Sequence, residues 1–174
     1  MPQYVDYTFV MSQDLYNELL NTENTSEIEE SKTSPASTWL TFYAGSEKYA
    51  VLSTEIREIL RNNEIYPVPF VPPYIKGVVN CYGAPYAVLD ISAFLGHETQ
   101  SSKLYMIIKD DNHLALQIDD LQEFHTDNEI TVQTMANGKD YEYYNSALTF
   151  ENETIPILNL DKIVSSIRTD IEKI

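Results

Sequence analysis

A cluster of four prolines within seven residues constrains the fold of this chain more than any other feature; they are Pro67, Pro69, Pro72 and Pro73. Each proline fixes φ and removes a backbone donor, so this segment cannot be a helix and is a poor candidate for a central strand. An apolar run at 75–79 follows, then an Asn-x-x-Gly turn at 80–83 and a second apolar run at 84–89, closed by Asp90. The order of parts predicts a rigid extended arm that leads into a β-hairpin.

The apolar side chains of the arm have two interpretations. They are Val68, Phe70, Val71 and Tyr74. The arm either packs on the protein's own core, which is the prediction we favour, or serves as a polyproline ligand for another domain.

Short apolar runs bounded by turn residues continue along the chain and predict a mainly β protein. The runs lie at 39–44, 48–52, 104–109, 113–118, 121–125, 129–133, 146–150 and 154–158.

Three helices are expected between these strands. Residues 53–60 place Ile56, Ile59 and Leu60 on one helical face. Residues 90–95 form a short helix capped by Asp90 and stopped by Gly96, and residues 160–174 carry isoleucines at i,i+4 spacing.

Composition limits the classes of function. The net charge of −16 argues against binding to nucleic acid or to anionic membranes, because phosphate recognition requires clustered lysine and arginine. Cys81 is the only cysteine, and residues 1–10 lack the features of a signal peptide, so we expect a cytoplasmic protein. No run approaches the roughly 20 apolar residues of a membrane span, so direct membrane insertion is not expected.

Residues 1–38 differ from the rest and are predicted to be an acidic, flexible extension of a domain at 39–174. Residues 12–20 have the pattern of a short helix, and 21–37 that of a linker. The extension is either a solvated tail or a docking peptide built on Leu15, Leu19 and Leu20.

Motifs for catalysis, cofactors or metals are weak. The five glycines form no nucleotide-binding pattern, no GxSxG elbow is present, and the three histidines are isolated. We therefore expect no catalytic residues, no cofactor and no metal, and an inert buried thiol at Cys81. The acidic pairs at 110–111 and 119–120 read as turns and strand ends. A carboxylate-based enzyme site would need Asp119, Asp120 and His125 to meet in one pocket.

The order of these motifs resembles the CheW family of bacterial chemotaxis coupling proteins. In that family the arm and hairpin read roughly VPxxPxxxxGvxNLRGxxxPVxDLR. Other segments also match motifs of the family. Residues 49–51 and 56–59 together match one motif, and 65–69, 115–119 and 155–163 each match another. The resemblance spans about 39–167. It implies two five-stranded SH3-like β-barrels that share a hydrophobic core, with short helices and a C-terminal helix.

The resemblance also implies partners. Family members are non-catalytic adaptors that join the cytoplasmic tip of a chemoreceptor to the regulatory domain of a CheA-type histidine kinase, which is itself CheW-like. By matching motifs, the positions tied to protein contact are Ile56, Glu58, Gly77, Asn80, Tyr82 and Gly83. Each also has a structural interpretation, such as core packing for Ile56 or positive φ for Gly83.

Two departures separate this chain from the family pattern. Tyr82 stands where the family has the arginine of NLRG, and Ser92 where it has the arginine after PVxDL. Tyrosine cannot reproduce the five-donor fork of arginine. An alternative is therefore an accessory protein that binds the kinase or other CheW-like domains without ordinary receptor coupling.

Overall fold

The computed structural model describes residues 36–135, 142–144 and 146–173. Most of the predicted acidic extension, including its candidate helix at 12–20 and the leucines of the docking-peptide interpretation, lies outside the described residues. Residues 35–174 form one compact unit.

Twelve strands and two helices make up the described part of the chain. The strands are β1 (Thr38–Ala44), β2 (Glu47–Leu52), β3 (Ile56–Arg61), β4 (Ile65–Tyr66), β5 (Ile75–Cys81), β6 (Ala84–Asp90), β7 (Leu104–Ile108), β8 (Leu114–Ile118), β9 (Asp120–Thr126), β10 (Thr131–Thr134), β11 (Ser146–Phe150) and β12 (Glu153–Ile157). The helices are α1 (Ile91–Phe94) and α2 (Leu160–Ile171).

The strands form two six-stranded sheets, which define two subdomains. The first subdomain has the order β10-β11-β12-β2-β1-β9, and the second has the order β3-β7-β8-β6-β5-β4. The expected mainly β fold with two subdomains is confirmed. Each sheet has six strands instead of five, because the short strands β4 and β10 add to the edges.

Three groups of buried side chains explain how the sheets pack. On β7, Met106 faces a large core that also contains Phe42 of β1 and Ile163 of α2, so the two subdomains share it. Its neighbours on the same strand, Tyr105 and Ile107, face a separate interior within the second subdomain. The alternation of a strand therefore places successive side chains in two different cores. A third, smaller core lies inside the first subdomain.

The helix predicted at 53–60 is wrong. Only Ser53–Glu55 forms a 3₁₀ turn, and Ile56 begins β3, which pairs with β7 through contacts such as Ile59 with Met106. An isolated helix of two turns has little stability in water, whereas pairing with β7 gives this segment backbone hydrogen bonds to a neighbouring strand. A β-bulge between Ile56 and Glu58 interrupts the regular alternation of this strand.

The proline arm is not a helix or a central strand, as predicted, but its packing differs from the prediction we favoured. Phe70 is 90% exposed, with a positive φ of 57°, and Val68 is also exposed. Pro72 is buried, and Val71 and Tyr74 are partly buried. The left-handed backbone at Phe70 turns its ring into solvent, so only the second half of the arm packs on the protein.

The helix predicted at 90–95 is confirmed, and the helix predicted at 160–174 is present over Leu160–Ile171. The Asp90 carboxylate accepts a hydrogen bond from the Ala93 N–H at 3.0 Å and caps α1, and Gly96 follows that helix with φ of 79°. The α2 helix buries Ile163 and Ile167 and leaves Ile171 half-exposed at its end. None of the helices in the described residues is long and apolar enough to span a membrane.

Candidate functional site

The β5–β6 turn presents a tyrosine at the tip of a rigid hairpin. Cys81 pairs with Ala84, and the two residues between them, Tyr82 and Gly83, have φ of 50° and 84°. This is the pattern of a type I′ turn, in which both central residues have positive φ. The Asn80 side-chain oxygen accepts a hydrogen bond from the Gly83 N–H at 2.9 Å and fixes the turn. The predicted Asn-x-x-Gly turn is thus present.

The backbone conformation of Tyr82 is energetically unfavourable. An L-residue in the left-handed region loses about 1–2 kcal/mol relative to the right-handed one, and asparagine or glycine is usual here. The Tyr82 side chain is nevertheless 87% exposed, so burial in this chain does not compensate. An exposed aromatic side chain held in a strained conformation is a candidate contact residue for another molecule.

Glu58 lies beside this turn, although it is 23 residues away in sequence. The Cys81 thiol donates a hydrogen bond to Glu58 Oε1 at 3.0 Å, which joins β3 to the end of β5. Adjacent Arg57 donates a hydrogen bond to the Tyr86 hydroxyl at 2.6 Å. Residues 57 and 58 would point to opposite faces of a regular strand; the β-bulge allows both to reach the β5–β6 hairpin.

Ile56 and Gly77 lie in environments that differ from that of the Tyr82 turn. Ile56 is partly buried and packs against the shared core. Gly77 is five residues before Tyr82 on β5, about 16 Å along an extended strand. A Cβ at Gly77 would lie 2.3 Å from the Tyr66 carbonyl oxygen, so this glycine allows β4 to approach β5.

The structure therefore brings four of the six predicted residues together: Glu58, Asn80, Tyr82 and Gly83. Sequence reasoning did not find Arg57 or Tyr86 in this cluster. A bulge and a hydrogen bond between distant strands leave no local sequence signal, so neither residue could have been found from its neighbours.

The Cys81 thiol is predicted to be unreactive. Burial, with the hydrogen bond to Glu58 and the charge of that carboxylate, raises its pKa to about 11. Because the thiolate is the nucleophile, 5,5′-dithiobis(2-nitrobenzoate) at pH 8 should react with unfolded chain in urea and leave folded protein unmodified. Rapid labelling of the folded state would contradict this.

The raised pKa of Cys81 also predicts a pH dependence of stability. Deprotonation of this thiol favours the unfolded chain, so the free energy of unfolding should decrease as pH rises from about 9 to 11.

The carboxylate-based enzyme site receives no support from the geometry. Asp119 accepts a hydrogen bond from the Gly45 N–H at 2.5 Å, and Asp120 accepts one from Gln122 at 2.9 Å. His125 is buried with its ring 4.4 Å from that of Phe150. Within the described ranges, no three acidic, histidine or cysteine residues are placed to hold a metal ion.

Comparison with known proteins agrees with the fold and with the arrangement of motifs. The sequence profile of the CheW-like domain matches residues 38–168. Chemotaxis protein CheW of Rhizobium meliloti (strain 1021) is 25% identical over 134 residues, which cover 73% of this chain and 86% of the relative.

A solved structure supports the same fold. The crystal structure of the scaffolding protein TtCheW from Thermoanaerobacter tengcongensis superposes with a TM-score of 0.63 at 19% identity. The match covers 71% of this chain and 89% of that one. Because the family profile spans three quarters of the chain and the two-subdomain architecture agrees with it, this chain belongs to the CheW-like domain family.

Proposed function

We propose that this protein is a non-catalytic adaptor that couples a chemoreceptor to a CheA-type histidine kinase in chemotaxis signalling. Its partners are the cytoplasmic receptor tip and the CheW-like regulatory domain of the kinase, and it acts in the cytoplasm beside membrane-associated receptor arrays. Family membership supports the adaptor role. The observation that most strongly supports a partner-contact site is the exposed Tyr82, which is held in a strained conformation on its rigid hairpin.

Tyr82 would take part in receptor binding in place of the family's arginine. Its ring offers a large apolar surface, and its hydroxyl can donate or accept a hydrogen bond at the edge of an interface. Arg57 provides an exposed guanidinium at the same end of the second subdomain, where it is held by Tyr86. Together, Tyr82 and Arg57 supply the aromatic and cationic groups that are common at the centres of protein interfaces.

The second departure from the family pattern has a different setting. Ser92 is buried, and its hydroxyl lies close to Gly45 of the turn between β1 and β2. An arginine would not fit this environment without rearrangement. Position 92 therefore contributes to packing in this protein, and we assign no partner contact to it.

Replacing Tyr82 by alanine should weaken binding of a receptor-tip helical hairpin about tenfold, which corresponds to 1.4 kcal/mol. The folded state should keep its urea midpoint, because the side chain makes few contacts within the chain. Titration calorimetry measures the affinity. Tyr66→Ala is the matched control, since this tyrosine is also exposed but lies on β4. Equal affinities for both variants and the unsubstituted protein would remove Tyr82 from the site.

The accessory role remains the second candidate, because both family arginines are replaced. A protein of that kind would occupy the position of a CheW on the kinase, or bind other CheW-like domains, without activating the kinase. A competition assay against an ordinary CheW separates the two roles. An adaptor restores receptor-dependent kinase activation, whereas an accessory protein suppresses it as its concentration rises.

A further inference from the structure

A small polar pocket lies in the first subdomain, on a different sheet from the Tyr82 hairpin. Its volume is about 240 Å³, and its walls include Lys48 of β2, Glu123 and His125 of β9, and Phe150 at the end of β11. Sites for whole small molecules usually begin at about 300 Å³. The size of this pocket suits one long side chain better than a metabolite.

Negative charge predominates around this pocket. Lys48 is already paired with Glu153 at 2.7 Å. Glu123 and Glu151 also line the pocket, and neither has an ion-pair partner among the residues that the structure describes. With Lys48 against the three carboxylates of Glu123, Glu151 and Glu153, the pocket lining keeps a net charge of −2.

His125 supplies an independent observation that points to a ligand. This residue is only 4% exposed and its ring packs against Phe150. Its backbone belongs to the β1–β9 ladder, but its ring nitrogens form no hydrogen bond with another described residue. Buried polar side chains nearly always have a hydrogen-bond partner. A neutral imidazole offers one acceptor nitrogen, so a donor that enters the pocket would supply the missing partner.

The backbone around Glu123 is held in a defined arrangement. The buried Thr41 hydroxyl donates to the Glu123 carbonyl at 3.1 Å and accepts from the Glu123 N–H at 3.2 Å. The pairing of β1 with β9 shifts register between Leu40 and Phe42, opposite this point. Such bulges re-aim side chains, and here one lies at the wall of the pocket.

From these features we propose that the pocket receives an arginine side chain of a partner protein. A guanidinium carries five donors in a planar fork, enough for the carboxylates of Glu123 and Glu151 and the acceptor nitrogen of His125. Its flat face can stack on Phe150. The net charge of −16 would attract a basic partner surface to the molecule. The proposal does not depend on the adaptor function, which concerns the second subdomain.

The test titrates the full ¹⁵N-labelled chain with N-acetyl-arginine N-methylamide and follows amide resonances by NMR. The same compound made from citrulline, a neutral analogue of similar shape, is the control ligand. The arginine probe should shift the signals of residues around His125 in a saturable manner, and the citrulline probe should not. Glu123→Gln or Glu151→Gln should each weaken binding about fivefold, near the upper limit for an exposed ion pair.

Glu64→Gln is the matched control variant, because it removes an exposed carboxylate from the second subdomain and should leave the affinity unchanged. Equal shifts with the arginine and citrulline probes would overturn the proposal, as would the absence of saturation or full affinity in both glutamine variants. Tighter binding of N-acetyl-lysine N-methylamide would overturn the assignment to arginine.

Discussion

Replacing Gly77 by alanine is expected to lower the free energy of unfolding by about 3 kcal/mol, the upper range for an overpacked site. The added Cβ would lie 2.3 Å from the Tyr66 carbonyl oxygen and 2.7 Å from a methyl carbon of Ile65. Neither neighbour can give way easily, because β4 is paired with β5 at this point. The φ of 142° adds a backbone strain that only glycine avoids.

Gly83→Ala is the matched control for this prediction. Gly83 also has a positive φ, of 84°, but no atom lies within 4 Å of its added Cβ. The change should therefore cost only the backbone term, about 1 kcal/mol. Urea denaturation followed by circular dichroism measures both variants. Equal losses of unfolding free energy in the two variants would contradict the view that steric crowding requires glycine at position 77.

The second large effect is expected at Ile163, which joins α2 to the core shared by the two subdomains. The side chain is fully buried among residues of that core. Ile163→Ala should lower the free energy of unfolding by about 3 kcal/mol, through lost burial and the cavity that remains. Thermal unfolding by calorimetry gives the measurement.

Ile171→Ala tests whether the loss comes from burial or from helix propensity. Ile171 lies two i,i+4 steps further along the same face of α2 but is 48% exposed. Its replacement should change stability by less than about 0.5 kcal/mol, as for most surface positions. A loss at Ile171 as large as that at Ile163 would mean that the described packing of α2 is wrong.

Local sequence chemistry predicted the hairpins well because turns have specific residue requirements. The Asn80–Gly83 turn, the two strands that it joins and the Asp90 cap of α1 follow from such requirements. The segment at 53–60 failed because its isoleucine spacing suits a helix, while pairing with β7 determines the structure. The hydrophobic periodicity of a segment contains no information about a partner strand that lies more than 40 residues away in the sequence.

The candidate site was predictable only in part. Matching motifs identified the hairpin residues and Glu58, but the bulge that turns Arg57 and Glu58 toward the hairpin depends on the register between β3 and β7. The exposure of Phe70 also escaped prediction. Apolar residues beside prolines are usually expected to pack, and the positive φ that turns this ring outward has no signal in the sequence.

The coupling role is tested most directly by calorimetric titration of the full chain with the regulatory domain of the CheA-type kinase from its own organism, repeated with a receptor-tip helical hairpin present. Our account predicts that the protein binds the kinase domain and the receptor tip at the same time. Binding to the kinase domain alone would support the accessory role. Binding to neither would contradict the proposed function and leave only the fold and family assignment.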